Sequence, residues 1–106
     1  MLSPKTSQIV ERLFPGPEQG DVVDLLITEC GRNLPFMEKY DVYQLERIRF
    51  AVLKLSEGDI DKLLSAVQLA QIDARDVYVA AGFGHSVTEH QEWARLTINN
   101  RLADSS

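Results

Sequence analysis

Apolar residues recur at three- and four-residue steps through most of this chain, which is the spacing of one face of an α-helix. The clearest stripe consists of Val42, Leu45, Ile48, Val52 and Leu55. A second stripe follows it closely and consists of Ile60, Leu63, Leu64, Val67 and Ala70. Because only a short segment around Gly58 separates the two, we expect two helices that fold back on each other as a central helical hairpin.

Polar residues that favour helix starts precede these stripes at a regular spacing. An N-cap side chain accepts a hydrogen bond from a free backbone N–H of the first turn, and an acidic or amide side chain three positions later can return one. Five pairs have this spacing: Asp21/Asp24, Asp41/Gln44, Ser56/Asp59, Asp73/Asp76 and Ser86/Glu89. Ser3 followed by Pro4 adds a sixth start, because proline at the first helical position loses no useful donor.

The remaining segments complete an all-α pattern. We expect the first helix to end at Pro15, the second at Gly31 acting as a C-cap with positive φ, and the fifth at Gly82. The last helix should run from Val87 to about Leu102. No segment alternates with period two, and there is no Asn-Gly or Asp-Gly hairpin turn. The sequence therefore predicts one domain over 1–106, a compact bundle of five or six short helices, with a frayed tail at 103–106.

Composition and charge argue against nucleic acids and membranes as partners of this chain. The chain has 106 residues, with 16 acidic and 11 basic side chains and a net charge of −5. An acidic protein with scattered cations lacks the basic surface that nucleic-acid binding requires, so we expect no nucleic-acid partner. The lone Cys30 can form no internal disulfide. The N-terminal Met-Leu-Ser-Pro-Lys lacks a basic stretch followed by an apolar run, so we expect no secretory signal there, and no apolar run is long enough to span a bilayer. These features favour a cytoplasmic protein without a membrane partner.

The segment 63–84, LLSAVQLAQIDARDVYVAAGFG, resembles part of small all-helical bacterial proteins with no assigned function. The resemblance extends to ECGRNLPF at 29–36 and LERIRFAVLKLSEGD at 45–59. It implies a bacterial source and an all-α fold, and it implies no catalytic or binding residue.

Few residues are arranged for chemistry. His85 and His90 are separated by five positions rather than the four that place two ligands on one helical face, so we predict no metal site and no cofactor. Cys30 falls on an apolar stripe, where a buried thiol is the ordinary finding. The acidic pair Asp73/Asp76 stands at a predicted helix start, where carboxylates complement the helix dipole. We therefore predict no catalytic residue.

Several large apolar side chains lie off the main stripes of their helices, and they define a predicted interaction surface. They are Phe50, Leu53, Leu69, Trp93 and Leu96. Helices with apolar residues on more than one side are either central in a bundle or have a second surface for a partner.

Two hypotheses of function follow from these patterns. The first is a non-enzymatic interaction or regulatory module that acts through a helical surface, on another protein or as a homodimer. The second is a small ligand-binding protein or enzyme with a pocket between the 32–40 loop and the 83–90 turn. Its polar groups would be Arg32, Tyr40, His85 and His90.

Overall fold

A computed structural model of the protein describes residues 2–31, 34, 41–84 and 88–99. In these residues the chain forms six helices and no strand, which confirms the predicted all-α bundle. The helices are α1 (Pro4–Leu13), α2 (Gln19–Glu29), α3 (Val42–Ser56), α4 (Ile60–Ile72), α5 (Ala74–Ala81) and α6 (Glu89–Asn99). None of them is long and apolar enough to cross a membrane.

Helix α3 is the centre of the bundle, because α1, α4, α5 and α6 all pack against it. Its sequence explains this position. The stripe of Leu45, Ile48 and Val52 is buried on one side, and Phe50 and Leu53 are buried on others. A helix with apolar residues almost all round must be covered on several sides, and four neighbouring helices do so here. The buried residues of all six helices form one hydrophobic core.

The predicted hairpin of α3 and α4 is present, but its turn differs in detail from the prediction. Glu57 and Gly58 adopt left-handed conformations, with φ of 52° and 79°. A Cβ on Gly58 would lie 2.9 Å from the carbonyl oxygen of Leu13, so glycine is needed for space as well as conformation. The two left-handed residues delay the start of α4, and its N-cap is therefore Asp59, which accepts from the N–H of Asp61 and Lys62.

The prediction that Ser56 caps α4 was accordingly wrong. Ser56 is the last residue of α3, and its buried hydroxyl donates to the carbonyl of Leu53 at 2.6 Å. The caps predicted at Ser3, Asp41 and Asp73 are confirmed, since each side chain accepts from a first-turn N–H. The Ser86 cap lies outside the described residues.

The predicted start and end of α2 were also wrong. The helix begins at Gln19 rather than after Asp21, and its N-cap, Glu18, makes no side-chain capping bond. At the other end the C-cap is Cys30, and Gly31 has no positive φ. Gly31 instead leaves room for the carbonyl oxygen of Ile27 and the guanidinium of Arg49. A Cβ at this position would lie 3.1 Å from the oxygen of Ile27 and 3.2 Å from Nη2 of Arg49.

Tertiary hydrogen bonds fix the outer helices to the core. Arg49 is buried and donates from Nε to the carbonyl of Cys30 at 3.0 Å and from Nη2 to that of Leu26 at 3.3 Å. A cation at this position also complements the negative end of the α2 dipole. Helix α6 packs on α1 and α3, and Arg12 of α1 donates to the carbonyl of Ile98 at 3.1 Å. The predicted ends of α6 and the 103–106 tail lie outside the described residues.

Candidate functional site

Of the four residues predicted to line a ligand pocket, only His90 lies in the described part of the chain. Arg32, Tyr40 and His85 lie outside it. His90 is fully buried, and its ring lies edge-on to that of Tyr43, with 5.1 Å between the ring centroids. The rings of Phe50 and Phe83 lie 5.7 and 6.3 Å away. The imidazole is therefore a core group within an aromatic cluster.

Trp93 belongs to the same aromatic cluster, one turn after His90 on α6. Its ring lies 6.1 Å from that of Phe50 and 6.0 Å from that of Phe83, and the side chain is only partly exposed. Offset aromatic pairs at these distances add to the stability of a core. This cluster is what joins α6 to α3 and to the segment after α5.

The basic residues of α3 are turned toward the protein. Arg47 donates to the carbonyl of Phe83 at 2.7 Å, and its guanidinium lies 4.2 Å from the ring centroid of Tyr78. Burial raises the pKa of the Tyr78 hydroxyl, and the Arg47 charge opposes that shift. Lys54 lies 5.1 Å from the ring centroid of Phe83. Together with the buried Arg49, these cations serve internal contacts rather than forming a basic surface.

Cys30 is buried at the end of α2. Burial raises the pKa of its thiol to about 12, and the nearby charge of Arg49 only partly offsets this. Since the thiolate is the reactive form, a thiol in this environment is a poor nucleophile and a poor metal ligand. Among the described residues, no three His, Cys, Asp or Glu side chains lie close enough together to hold a metal ion.

The five residues of the predicted interaction surface separate into two groups. Phe50 and Leu53 are fully buried in the core, so their assignment to a surface was wrong. The reason is that α3 is central, which was the other interpretation of its extra apolar residues. Leu69 and Trp93 are partly buried, and Leu96 is 55% exposed. Leu69 lies on α4 and Leu96 on α6, and these two helices are not among the helix pairs that pack together. The two residues therefore do not form one surface.

Leu69 opens onto a groove between α4 and α5, with one end of α3 beneath it. This α4–α5 groove has a volume of about 440 Å³ and is lined mainly by apolar atoms. Its lining residues are Leu55, Asp61, Lys62, Ser65, Ala66, Leu69 and Ala80. The small side chains of Ala66 and Ala80 leave the space open, and Ala80 is exposed at its edge.

The outer surfaces of the same two helices are also unusually apolar. Ile72 on α4 is 81% exposed and Val79 on α5 is 72% exposed, which are the highest values among the large apolar side chains described. Single exposed apolar residues are common, but Ile72 and Val79 add exposed apolar surface to the two helices that border the groove, and large apolar surfaces are typical of binding sites. Sequence periodicity identified Leu69 and missed Ala66 and Ala80, because alanine gives no signal of whether a neighbour covers it.

Two further clefts contain more polar groups. The larger, of about 850 Å³, lies between α1 and α6 and is lined by Lys5, Gln8, Thr88, Glu89, Gln91, Glu92, Arg95, Ile98 and Asn99. The charges of its two cations and two carboxylates cancel. Arg95 forms an ion pair with Glu92, and the hydrogen bond from Arg95 lowers the pKa of the Glu92 carboxyl. The smaller, of about 170 Å³, is bordered by Ser3, Glu46 and Arg49, and Ser3 donates to Glu46 at 2.7 Å. His90 lines neither cleft.

Comparison of the chain with protein-family models, with curated proteins and with solved structures gave no match. The resemblance of 63–84 to small bacterial helical proteins therefore stays a prediction, and the candidate site is defined by the geometry of the α4–α5 groove.

Proposed function

We propose that this protein is a non-enzymatic interaction module and that it binds another protein through the α4–α5 groove. The observation that carries the proposal is the mainly apolar groove between α4 and α5, where Leu55 and Leu69 are half-buried and Ala80 is exposed. An amphipathic helix can place one or two apolar side chains in such a groove, in the helix-in-groove mode of recognition.

The rest of the molecule supports a binding role over a catalytic one. Cys30 is buried with a raised pKa, and His90 is enclosed by aromatic rings. Residues that act on a substrate need access to it, and these two have no exposed surface. Because the cations of α3 are used in internal contacts, a protein partner is also favoured over a nucleic acid. We also propose a cytoplasmic location, because the single cysteine, Cys30, is a free and buried thiol, and reduced cysteines are typical of cytoplasmic proteins.

The proposal is tested by placing a photoactivatable cross-linking residue at Ser65, which lines the groove and is exposed. The chain carrying this residue is expressed in cells of the organism it comes from, and the cells are irradiated. We expect a discrete adduct with another protein at Ser65. The same residue at Thr28, on the exposed surface of α2, should give no adduct of that size.

A second variant shows whether the groove itself is responsible. Ala80→Arg places a long charged side chain at the edge of the groove, and Ala80 is exposed, so the fold should tolerate it. The Ser65 adduct should disappear in Ala80→Arg and persist in Thr28→Arg, which adds the same charge elsewhere. Equal cross-linking at Ser65 and Thr28, or an adduct that Ala80→Arg leaves unchanged, would overturn the proposal.

A further inference from the structure

His90 lies in the first turn of α6 and is one of the few residues that fix this helix to the core. Within the described range 89–99, only His90 and Ala94 are buried, and the His90 side chain has no exposed surface. Trp93 and Ile98 are partly buried beside them. A change that makes burial of the imidazole unfavourable therefore acts directly on the attachment of α6.

Two features of this position oppose a positive charge on the imidazole. The rings of Tyr43, Phe50 and Phe83 lie 5.1, 5.7 and 6.3 Å away, centroid to centroid, and a buried imidazolium loses its hydration. Contact with aromatic rings offsets only part of that loss. His90 is also the second residue of α6, where the positive end of the helix dipole disfavours a cation.

The charges of α3 nearest to this position do not favour the imidazolium either. Glu46 and Arg47 lie on either side of the aromatic face of α3 that meets His90. Glu46 accepts a hydrogen bond from the N-cap of α1 at 2.7 Å. Arg47 donates to the carbonyl of Phe83 at 2.7 Å, and the Phe83 ring contacts His90. Of these two charges, the one bonded to a neighbour of the His90 ring is the positive one.

The remaining charged groups of the elements that pack around His90 lie on α1, on α6 and next to Phe83. They are Lys5 and Arg12 of α1, Lys54 beside the Phe83 ring, and Glu89, Glu92 and Arg95 of α6. Glu89 and Glu92 line the cleft between α1 and α6, which His90 does not line. In the part of the chain that the structure describes, the carboxylates of α6 therefore border this cleft, and the cluster side holds cations.

We infer that His90 is a pH-sensitive switch for the attachment of α6. With a neutral ring, the first turns of α6 pack on the aromatic face of α3, and protonation favours a state in which these turns are released and the ring is hydrated. A histidine side chain in water has a pKa of about 6.5, whereas the packed ring becomes charged only at lower pH. The released state therefore binds the proton more tightly, and its population grows as the pH falls below about 6.5.

Release changes what the molecule exposes. The rings of Phe50 and Phe83 are fully buried while α6 is attached, and Trp93 packs against both. Acidification thus converts a covered aromatic face into an exposed one. The switch is independent of the α4–α5 groove, because no residue of α6 lines that groove.

The test is amide hydrogen exchange of the full chain between about pH 7.5 and about pH 5, corrected for the intrinsic exchange rate at each pH. Since release takes up one proton, we expect the protection of α6 to fall about tenfold per pH unit below about pH 6.5. Helix α6 should exchange faster than α4 at every pH, because α4 does not pack on α6 and stays folded when α6 is released.

Two variants assign the effect to one ring. His90→Phe fills the site with a ring that does not titrate, and it should reduce the pH dependence of α6 to less than about twofold per unit. His85→Gln replaces the other histidine and should keep the tenfold dependence. Because His85→Gln leaves His90 as the only histidine, it also allows the imidazole resonances of His90 to be followed directly. These should titrate with a midpoint below about pH 5.5.

The imidazole titration keeps the test decisive even where His90→Phe does not fold. A His90 midpoint at or above about pH 6.5 overturns the inference, because the folded chain would then accept the charge as readily as water does. A pH dependence of α6 that persists in His90→Phe also overturns it. Equal protection of α6 and α4 at every pH does the same, since the chain would then open only as a whole.

Discussion

Arg49 offers the sharpest test of how this fold is held together, because it is a buried cation that donates to two backbone carbonyls. Its Nε and Nη2 donate to the carbonyls of Cys30 and Leu26 at the end of α2. The Leu26 carbonyl also accepts from the N–H of Cys30 at 3.2 Å, so it retains a partner when Arg49 is replaced. Among the hydrogen bonds of the described residues, the Cys30 carbonyl has only the guanidinium.

The substitution Arg49→Met keeps much of the side-chain volume and removes both donors. A hydrogen bond from a charged donor contributes about 1.5 to 3 kcal/mol, and a buried carbonyl left without its donor costs about 1 to 3 kcal/mol. Since one of the two carbonyls keeps a partner, we expect Arg49→Met to lower the free energy of unfolding by about 3 kcal/mol. That is a large part of the roughly 5 to 15 kcal/mol typical of a domain.

The measurement is urea unfolding, followed by the fluorescence of Trp93, the only tryptophan, and by circular dichroism of the helices. At roughly 1 to 3 kcal/mol per molar urea, the midpoint should fall by about 1 to 3 M. The control is Arg75→Met, on the exposed surface of α5, which should change stability by less than about 0.5 kcal/mol. A loss below about 1 kcal/mol for Arg49→Met would refute the reasoning.

Three further predictions concern the turns, the caps and the thiol. In thermal melts Gly20→Ala should stabilise the protein by about 0.5 to 1 kcal/mol, because a Cβ in that helical position meets nothing within 4 Å. Gly58→Ala should destabilise it by more than about 1 kcal/mol, through its positive φ and the contact with Leu13, and equal effects of the two would contradict this account. Asp59→Ala should cost about 1 kcal/mol as the loss of an N-cap, and no change would show that α4 starts without it. Cys30 should react with a thiol reagent only as fast as the protein unfolds. Because its pKa rises from 9.0 in the unfolded chain to about 12 when folded, its contribution to stability is complete below pH 9 and is lost as the pH rises toward 12. Urea melts of Cys30→Ala should show a smaller alkaline loss of stability than the parent chain.

The helices themselves are properties of local sequence. The 3.6-residue periodicity of α3 and α4 and the caps at Ser3, Asp41 and Asp73 depend on groups only a few positions apart, so they could be predicted directly. The hairpin was also predictable, because a short connection leaves two amphipathic helices few other ways to bury their stripes.

The candidate site was predictable only in part. Leu69 stood out because it lies off its stripe, but the same signal pointed to Phe50 and Leu53, which the structure buries. Whether an off-stripe apolar residue is covered depends on how many helices surround its own. That number is set by the packing of distant segments and leaves no mark on the local pattern.

What the sequence alone determined, then, is the set of helices and their apolar faces, since both arise from interactions between near neighbours in the chain. Tertiary structure decided which of those faces meet. It made α3 central, placed the Arg49 guanidinium against the end of α2, and left Leu69 half-exposed in the groove between α4 and α5. These outcomes depend on the shapes and directions of whole helices packing into one core, and such long-range fits have no local signature.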